Sequence, residues 1–139
     1  MLSLRHRTRE VLALSMAVAL IGLVEASPAS AVPFGEVRTG KATYYNDVGF
    51  GACGTPINAA NQMLVAVPKR YWTTANPNND PLCGAKVQVT WGGKKITVPV
   101  RDKCMGCGPS HIDLSQPAFA KFANINQGVL QQVKWKFVR

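Results

Sequence analysis

The chain has 139 residues, of which 47% are hydrophobic and 17% charged, a balance typical of one soluble globular domain. Sixteen Lys and Arg residues against seven Asp and Glu residues give a formal net charge of +9. The chain is too short for a multidomain enzyme and too apolar for an intrinsically disordered protein. It also has no heptad repeat of the kind that indicates a coiled coil.

The first 31 residues predict a secretory signal peptide. Arginines near the start precede an apolar run at residues 11–24, and Glu25 closes that run. Residues 29–31, Ala-Ser-Ala, match the small-residue pattern that a signal peptidase cleaves, so we expect cleavage after Ala31. Fourteen helical residues reach only about 21 Å, which is shorter than the hydrocarbon core of a membrane and disfavours a retained anchor.

The remaining sequence predicts a flexible lead-in at residues 32–38 and one folded domain at residues 39–139. Thirteen basic and five acidic residues follow Ala31, so the exported segment stays basic. The basic residues are dispersed and form no run with interleaved aromatic residues. We therefore expect a secreted monomer with no nucleic-acid partner and no membrane contact after processing, whose positive field favours solubility or anionic wall polymers.

All four cysteines lie in the exported segment, and their even number predicts two disulfides with three possible connectivities. The alternative is a zinc site or a redox pair at Cys104 and Cys107, with Cys53, Cys83 or His111 as further zinc ligands. No second C-x-x-C motif exists, and the one present lies among glycines rather than at the start of a helix. We therefore predict structural disulfides, no metal and no cofactor.

Alternating or β-branched segments predict a mainly β fold. The predicted strands are residues 41–45, residues 63–67, Lys86–Trp91, residues 95–100 and Val129–Val138. Gly92 and Gly93 predict a tight turn that joins two of these strands into a hairpin. Pro99 predicts an edge or a bulge in the second strand of that hairpin, because proline cannot donate to a strand ladder.

The connecting segments contain loops and one short helix. Residues 48–56 are rich in glycine and predict an irregular surface loop, and residues 76–81 consist of turn-forming residue types. Ser115 is predicted as the N-cap of a short helix whose apolar side includes Phe119 and Phe122. Five to seven strands with one short helix predict a small β-barrel.

Three segments resemble the double-psi β-barrel family, which includes rare lipoprotein A-like domains, the first domain of expansins, barwin-like plant proteins and family 45 endoglucanases. These segments are residues 40–45, residues 98–104 and residues 111–115, and the resemblance spans residues 38–138. It implies a six-stranded double-psi barrel with one or two short helices. It also implies the disulfides Cys53–Cys83 and Cys104–Cys107.

The resemblance gives Asp113 two possible roles. In lytic or hydrolytic relatives the corresponding aspartate is a general acid, which requires a carboxyl with a raised pKa. Asp47 is displaced by one position from the second carboxylate of family 45 enzymes, and Asp102 between basic residues is expected in an ion pair or a turn hydrogen bond. We expect a structural role for Asp113, accepting backbone N–H groups before the helix, with a lytic transglycosylase-like or glycan-binding module as the alternative.

Within this family the chain is similar to small secreted bacterial members that inhibit papain-like cysteine proteases, which implies binding by a rigid surface loop rather than catalysis. One candidate loop contains Val48, Gly49, Phe50 and Gly51. The other contains Trp72, which lies beside polar residues and is predicted as the best exposed aromatic. Tyr44 and Trp91 are expected to pack against the fold, and His111 to form a hydrogen bond at the barrel rim.

The resemblance further suggests a substrate of a secreted transglutaminase. Gln131 and Gln132 would supply the amide, and Lys134 and Lys136 the amine. Ordinary solvated strand positions are the alternative explanation for these four residues.

Overall fold

The computed structural model describes residues 32–139, so the predicted signal peptide and Ala31 lie outside the described residues. The strands are β1 Arg38–Tyr45, β2 Val48–Phe50, β3 Pro56–Asn58, β4 Val65–Pro68, β5 Lys86–Trp91, β6 Lys94–Cys104, β7 Ile112–Ser115 and β8 Val129–Val138. One α-helix, α1, spans Gln116–Ala120, and 3-10 turns occur at Lys69–Tyr71, Pro77–Asn79, Pro81–Gly84 and Ile125–Gln127. Within this part of the chain, no helix has the length and apolar character needed to cross a membrane.

Six strands close into a barrel in the order β1-β7-β4-β6-β5-β8, and β8 pairs with β1 to complete it. The pairs β1–β7 and β4–β6 are parallel, and the other four pairs are antiparallel. Closure leaves no barrel strand with an unpaired edge. The predicted mainly β, six-stranded barrel is confirmed.

The β5–β6 hairpin forms as predicted, with Gly92 and Gly93 at φ +57° and +76° in its turn. Pro99 lies opposite Lys86 of β5, and the pairing of β6 with β4 begins only at Val100, so Pro99 has a paired strand on one side only. The register of β6 against β4 then shifts between Val65 and Ala66, which leaves Arg101 as an extra residue two positions after the proline. Both predicted features, a local edge and a bulge, therefore occur in this part of β6, with Pro99 at the edge position.

The barrel interior contains an aromatic cluster built on β8. Alternate residues of this strand, Val133, Trp135 and Phe137, are each at most 1% exposed. The Tyr71 ring meets Trp135 and Phe137 edge-on, with centroids 6.2 and 5.4 Å apart, and Arg38 lies 4.7 Å above the Tyr71 ring. Burial of each large side chain contributes about 1.5–3 kcal/mol to stability.

Helix α1 begins after Ser115, but the serine hydroxyl does not cap it. The hydroxyl of this fully buried residue accepts the Leu64 N–H at 3.1 Å, and the Ser115 N–H donates to the Leu64 carbonyl at 2.9 Å. The predicted capping bond was wrong because a buried backbone donor just before β4 takes the hydroxyl. The helix packs by Phe119, whose ring centroid lies 5.1 Å from that of Tyr44.

Residues 32–38, expected as a flexible lead-in, are packed against the barrel. Val32 is 3% exposed, and the Gly35 N–H donates to the Phe137 carbonyl at 2.9 Å. Arg38 already belongs to β1. The apolar residues of this segment extend the core, which a reading of its short, irregular sequence did not reveal.

Both disulfides form with the pairing that the family resemblance implied, Cys53–Cys83 and Cys104–Cys107. Because all four cysteines are bonded, none has a free thiolate to bind zinc. A bridge that closes 30 residues, as Cys53–Cys83 does, contributes about 3–4 kcal/mol in the loop-entropy account.

The loop before Cys83 is organised by the buried carboxylate of Asp80, which is 3% exposed. It accepts the backbone N–H groups of Thr73, Thr74 and Leu82 at 2.8–3.0 Å, and the Thr74 hydroxyl at 3.1 Å. Burial by itself would raise the pKa of Asp80, but these hydrogen bonds outweigh it and lower the pKa.

We expect Asp80→Asn to destabilise the fold by about 2–3 kcal/mol at neutral pH, because the amide places an N–H₂ group against donors. Since the folded-state pKa is depressed, the carboxylate stabilises above about pH 4 and its contribution is lost as pH falls through the folded value. Chemical unfolding between pH 7 and 2 measures both effects. Glu36→Gln, which removes only an exposed ion pair with Arg38, is the control, and equal stability of the two variants would contradict the prediction.

Candidate functional site

A short hairpin projects from the barrel where the sequence predicted an irregular loop. Its strands β2 and β3 pair antiparallel, with Val48 opposite Asn58 and Phe50 opposite Pro56. Val48 is 71% exposed and Phe50 is 79% exposed. Because they are two residues apart on one strand, they present a continuous apolar surface to solvent.

The loop that joins β2 to β3 is attached to β6 by hydrogen bonds. The Ala52 N–H donates to Asp102 Oδ1 at 2.9 Å, and the Cys53 N–H donates to the Arg101 carbonyl at 3.4 Å. Gly51 is buried at this junction, and a Cβ there would overlap the Arg101 carbonyl oxygen. The close approach of the hairpin to the barrel therefore requires glycine at this position.

The far side of the same junction is held by the loop that carries Cys83. The Cys53–Cys83 disulfide joins the two segments. Gly54, at φ +77°, lies against Asn78 so closely that a Cβ would overlap the asparagine side chain. The exposed strand β2 is thus supported from β6 on one side and from the Asp80 loop on the other.

Trp72, predicted as the best exposed aromatic, is instead 9% exposed. Its indole N–H donates to the Val67 carbonyl at 3.3 Å, and the Lys103 ammonium lies 5.3 Å from its ring centroid. The polar residues that follow Trp72 are exposed, but its own ring turns inward and covers the end of β4. Trp72 cannot serve as a contact surface in this conformation.

An open cavity of about 440 Å³ lies beside the hairpin. Three carboxylates line it, and it also contains the only histidine among residues 32–139. The lining residues with titratable or hydroxyl groups are Tyr45, Asp47, Asp102, Lys103, His111 and Asp113. We refer to this feature as the acidic cavity.

Asp102 is committed to structural bonds within the acidic cavity. Besides the Ala52 N–H, it accepts the Lys103 N–H at 2.9 Å through Oδ1 and the Tyr45 hydroxyl at 3.2 Å through Oδ2. The pKa of Tyr45 is raised well above its usual range. Burial is the largest cause, and the charge of Asp102 and this hydrogen bond raise the pKa further. The expected turn hydrogen bond is present, and Asp102 is poorly placed to act as a free base.

Asp113 accepts the Thr43 hydroxyl at 3.0 Å rather than the expected N–H groups of the following helix. His111 Nε2 lies 2.7 Å from the same hydroxyl oxygen. With Thr43 donating to Asp113, the His111 tautomer that carries its proton on Nε2 donates to the Thr43 oxygen, which gives a chain from His111 through Thr43 to Asp113.

The electrostatics of this chain shift both titratable groups toward their neutral forms. Burial raises the pKa of Asp113, the Thr43 hydrogen bond lowers it, and the charges of Asp47 and Asp102 raise it, so the net shift is upward. Burial, assisted by Lys41, lowers the pKa of His111. A raised pKa is the property that a general acid requires of its carboxyl group.

The four proposed cross-linking residues lie together on β8. Gln131, Gln132 and Lys134 are exposed, and Lys136 is partly buried. Gln132 adopts a left-handed backbone with φ +56°, and the Trp91 indole donates to the Gln131 carbonyl at 2.9 Å. The expected packing of Trp91 is accompanied by this hydrogen bond.

Residues 37–135 match the model of a protein family described as lytic transglycolase. The chain belongs to this family. It is 54% identical over 138 residues to the papain inhibitor of Streptomyces mobaraensis, and the match covers 97% of this chain and 96% of the relative.

Two solved structures extend the comparison. The Streptomyces papain inhibitor superposes with a TM-score of 0.77 at 60% identity, covering 78% of this chain and 99% of that chain. A mutant Clavibacter michiganensis expansin in complex with cellohexaose superposes with a TM-score of 0.62 at 30% identity. That match covers 75% of this chain and 51% of the expansin, so the family barrel corresponds to about half of that protein.

Sequence reasoning did not identify Thr43, whose hydroxyl contacts Asp113 and His111 of the acidic cavity. Thr43 lies opposite Asp113 in the parallel β1–β7 pair, and the two residues are 70 positions apart. Parallel pairing over that distance leaves no local sequence pattern, so the hydrogen-bonded chain becomes visible only in the fold.

We expect Thr43→Val to raise the pKa of Asp113 further, because the variant loses the one hydrogen bond that lowers it and keeps the burial and the neighbouring charges. Carboxyl carbon chemical shifts followed by NMR through a pH titration measure this pKa. Thr43→Ser retains the hydroxyl and should titrate like the original protein. A pKa that is unchanged or lower in Thr43→Val would show that the hydroxyl does not control Asp113.

Proposed function

We propose that this protein is a secreted inhibitor of papain-like cysteine proteases that acts by binding. The observation that carries the proposal is the 54% identity to a papain inhibitor across 97% of the chain. The matching structure of such an inhibitor is covered over 99% of its length, so neither protein needs an additional domain to account for the likeness. The predicted signal peptide at residues 1–31 supports the extracellular location.

We further propose that the β2–β3 hairpin is the surface that enters the protease cleft. Phe50 and Val48 are the most exposed large apolar side chains among residues 32–139. Aromatic side chains at the centre of an interface commonly supply a large share of the binding energy. Gly49 and Gly51 flank Phe50 without adding side-chain bulk, which suits insertion into a narrow cleft.

Attachment of the hairpin also explains how it would resist cleavage. The hydrogen bonds to Arg101 and Asp102 and the Cys53–Cys83 bridge limit its freedom before binding. A preorganised segment loses less conformational entropy on binding than a flexible peptide does. The same restraint opposes the release of β2 from β3 that would present a single extended strand for cleavage.

We expect the secreted product of the full-length chain to inhibit papain, and Phe50→Ala to raise the apparent inhibition constant by at least about 30-fold. The reason is the loss of a fully solvent-exposed aromatic group from the proposed contact. Residual papain activity across an inhibitor titration measures the constant. Val37→Ala, which truncates another exposed apolar residue at 61% exposure, is the matched control and should change inhibition less than twofold.

Full papain activity in the presence of excess wild-type protein would overturn the proposed function. Inhibition that survives Phe50→Ala unchanged would retain the function and overturn the assignment to the hairpin. Circular dichroism of both variants establishes that the barrel is folded, since Phe50 makes little contact with the core.

A second candidate function, lytic or glycan-binding activity, is favoured by the acidic cavity and the raised pKa of Asp113. A lytic transglycosylase needs one acid, which Asp113 could supply, whereas inverting hydrolysis needs a second free carboxylate. Asp102 is engaged by three donors and does not fill that second role. Asp47, although displaced by one position in the sequence, lines the same cavity as Asp113 and is a further carboxylate there. The alternative therefore rests on Asp113 as the acid.

Asp113→Asn separates the two functions. We expect the variant to inhibit papain as the wild type does, because Asp113 lies in the acidic cavity and outside the hairpin. Incubation with purified peptidoglycan and with cellulose, followed by chromatography of the soluble products, tests the alternative. Soluble product that is released by the wild type and absent with Asp113→Asn would favour the lytic function.

We also propose that a secreted transglutaminase cross-links the protein. Exposure of Gln131 and Gln132, and the left-handed backbone at Gln132, support access of an enzyme to these amides. Lys134 on the same strand would supply an exposed amine.

A further inference from the structure

The outer surface of the barrel over β5, β6 and β8 carries lysines without acidic residues. Lys86–Trp91, Val129–Val138 and residues 94–100 contain no Asp or Glu. Valines and aromatic residues of these strands alternate into the core, so the intervening polar residues point outward. We call the outward set the lysine face, and it consists of Lys86, Gln88, Thr90, Lys95, Lys134 and Lys136.

The five acidic residues among residues 32–139 lie elsewhere and leave the lysine face without carboxylate partners. Glu36 pairs with Arg38 at 3.4 Å, and Asp80 is buried in its own loop. The other three, Asp47, Asp102 and Asp113, line the acidic cavity. The positive net charge of the protein is therefore distributed unevenly over its surface.

Strand register places the lysines at regular positions. Thr90 lies opposite Lys134 on one side and opposite Lys95 on the other, and Gln88 lies opposite Lys136. With strands about 4.8 Å apart, the backbones of Lys95 and Lys134 are separated by about 10 Å. Lys134 and Lys136 are about 7 Å apart along β8.

The lysines surround a shallow depression of about 210 Å³. Its lining residues are Val37, Gln88, Thr90, Lys95, Lys134, Trp135 and Lys136. Three ammonium groups, one amide and one hydroxyl thus face a common space. Such donors suit phosphate oxygens, because an ammonium group acts as a compact charge with several donor directions.

We propose that the lysine face binds a linear polyanion that carries repeated phosphate groups. The lysine charges are held about 7–10 Å apart, which is close to the Debye length at physiological salt, so they repel one another. A chain with several phosphates would neutralise them together. A single small anion would reach only part of the set. Binding of this kind would hold the protein on phosphate-rich polymers outside the cell.

The proposal does not depend on the proposed protease inhibition. The lysine face shares no residue with the β2–β3 hairpin or with the lining of the acidic cavity. A protein held by the lysine face would therefore keep both of those surfaces free of the polymer.

The test uses the secreted product of the full-length chain and long-chain inorganic polyphosphate. The lysine-face variant combines Lys95→Gln, Lys134→Gln and Lys136→Gln. A control variant with the same net charge combines Lys69→Gln, Arg70→Gln and Lys121→Gln. We expect the lysine-face variant to bind about tenfold more weakly at about 50 mM salt, with a shallower dependence of affinity on salt. The control should lose less than threefold.

Equal losses in the two variants would mean that only net charge matters and would overturn the proposal, as would failure of the wild type to bind polyphosphate. Tighter binding to phosphatidylglycerol vesicles than to polyphosphate would overturn the assignment to a linear polymer. Thermal unfolding establishes the folding of each variant, and Lys134→Glu alone, expected to weaken binding several-fold, serves if the triple variant does not fold. Papain inhibition should be unchanged in both triple variants, so the two proposals fail independently.

Discussion

The carboxylate of Asp102 joins the barrel to the loop between β2 and β3. Through one oxygen it accepts backbone N–H groups from Ala52 and Lys103, and through the other it accepts the Tyr45 hydroxyl. These bonds hold the turn end of the β2–β3 hairpin on β6, and Asp102 and Tyr45 both line the acidic cavity. Hydrogen bonds to a charged acceptor are stronger than those between neutral groups, so this arrangement restrains the hairpin more firmly than its three-residue strands could.

The same bonds leave Asp102 poorly suited to the role of a hydrolytic base. A general base must be free to bind and activate water, whereas Asp102 has its lone pairs directed at protein donors. Asp113 keeps a raised pKa beside Thr43 and His111, and Asp47 lines the same cavity. Within the acidic cavity, Asp102 therefore supports the neighbouring hairpin, and Asp113 has the raised pKa that the proposed lytic alternative requires. That division fits a member of a lytic family whose 54% identical relative is named as an inhibitor.

Local patterns predicted the parts of the fold that depend on neighbours in sequence. The β5–β6 hairpin follows from alternation and two turn glycines, and β8 follows from its period of two. The disulfide pairing came only from the resemblance. The errors occurred where a partner distant in sequence contributes: Ser115 bonds Leu64 instead of capping α1, and the buried Trp72 ring lies 5.3 Å from the Lys103 ammonium on β6. The hydrogen-bonded chain from His111 to Asp113 could not be predicted for the same reason, because parallel strand pairing places Thr43 opposite Asp113.

The charges of the molecule follow from these same structural demands. Three of the five described carboxylates face the acidic cavity, Asp80 holds a loop and Glu36 pairs with Arg38, so none forms an ion pair with the lysines of β5, β8 or residues 94–100 of β6. Lysines can occupy the outward positions of those strands because alternation keeps the inward positions apolar. A barrel that must be soluble, rigid and cross-linked by disulfides thus has two electrostatically distinct surfaces and a neutral, apolar hairpin. Each of the three surfaces is available to a different class of partner without altering the core that supports them all.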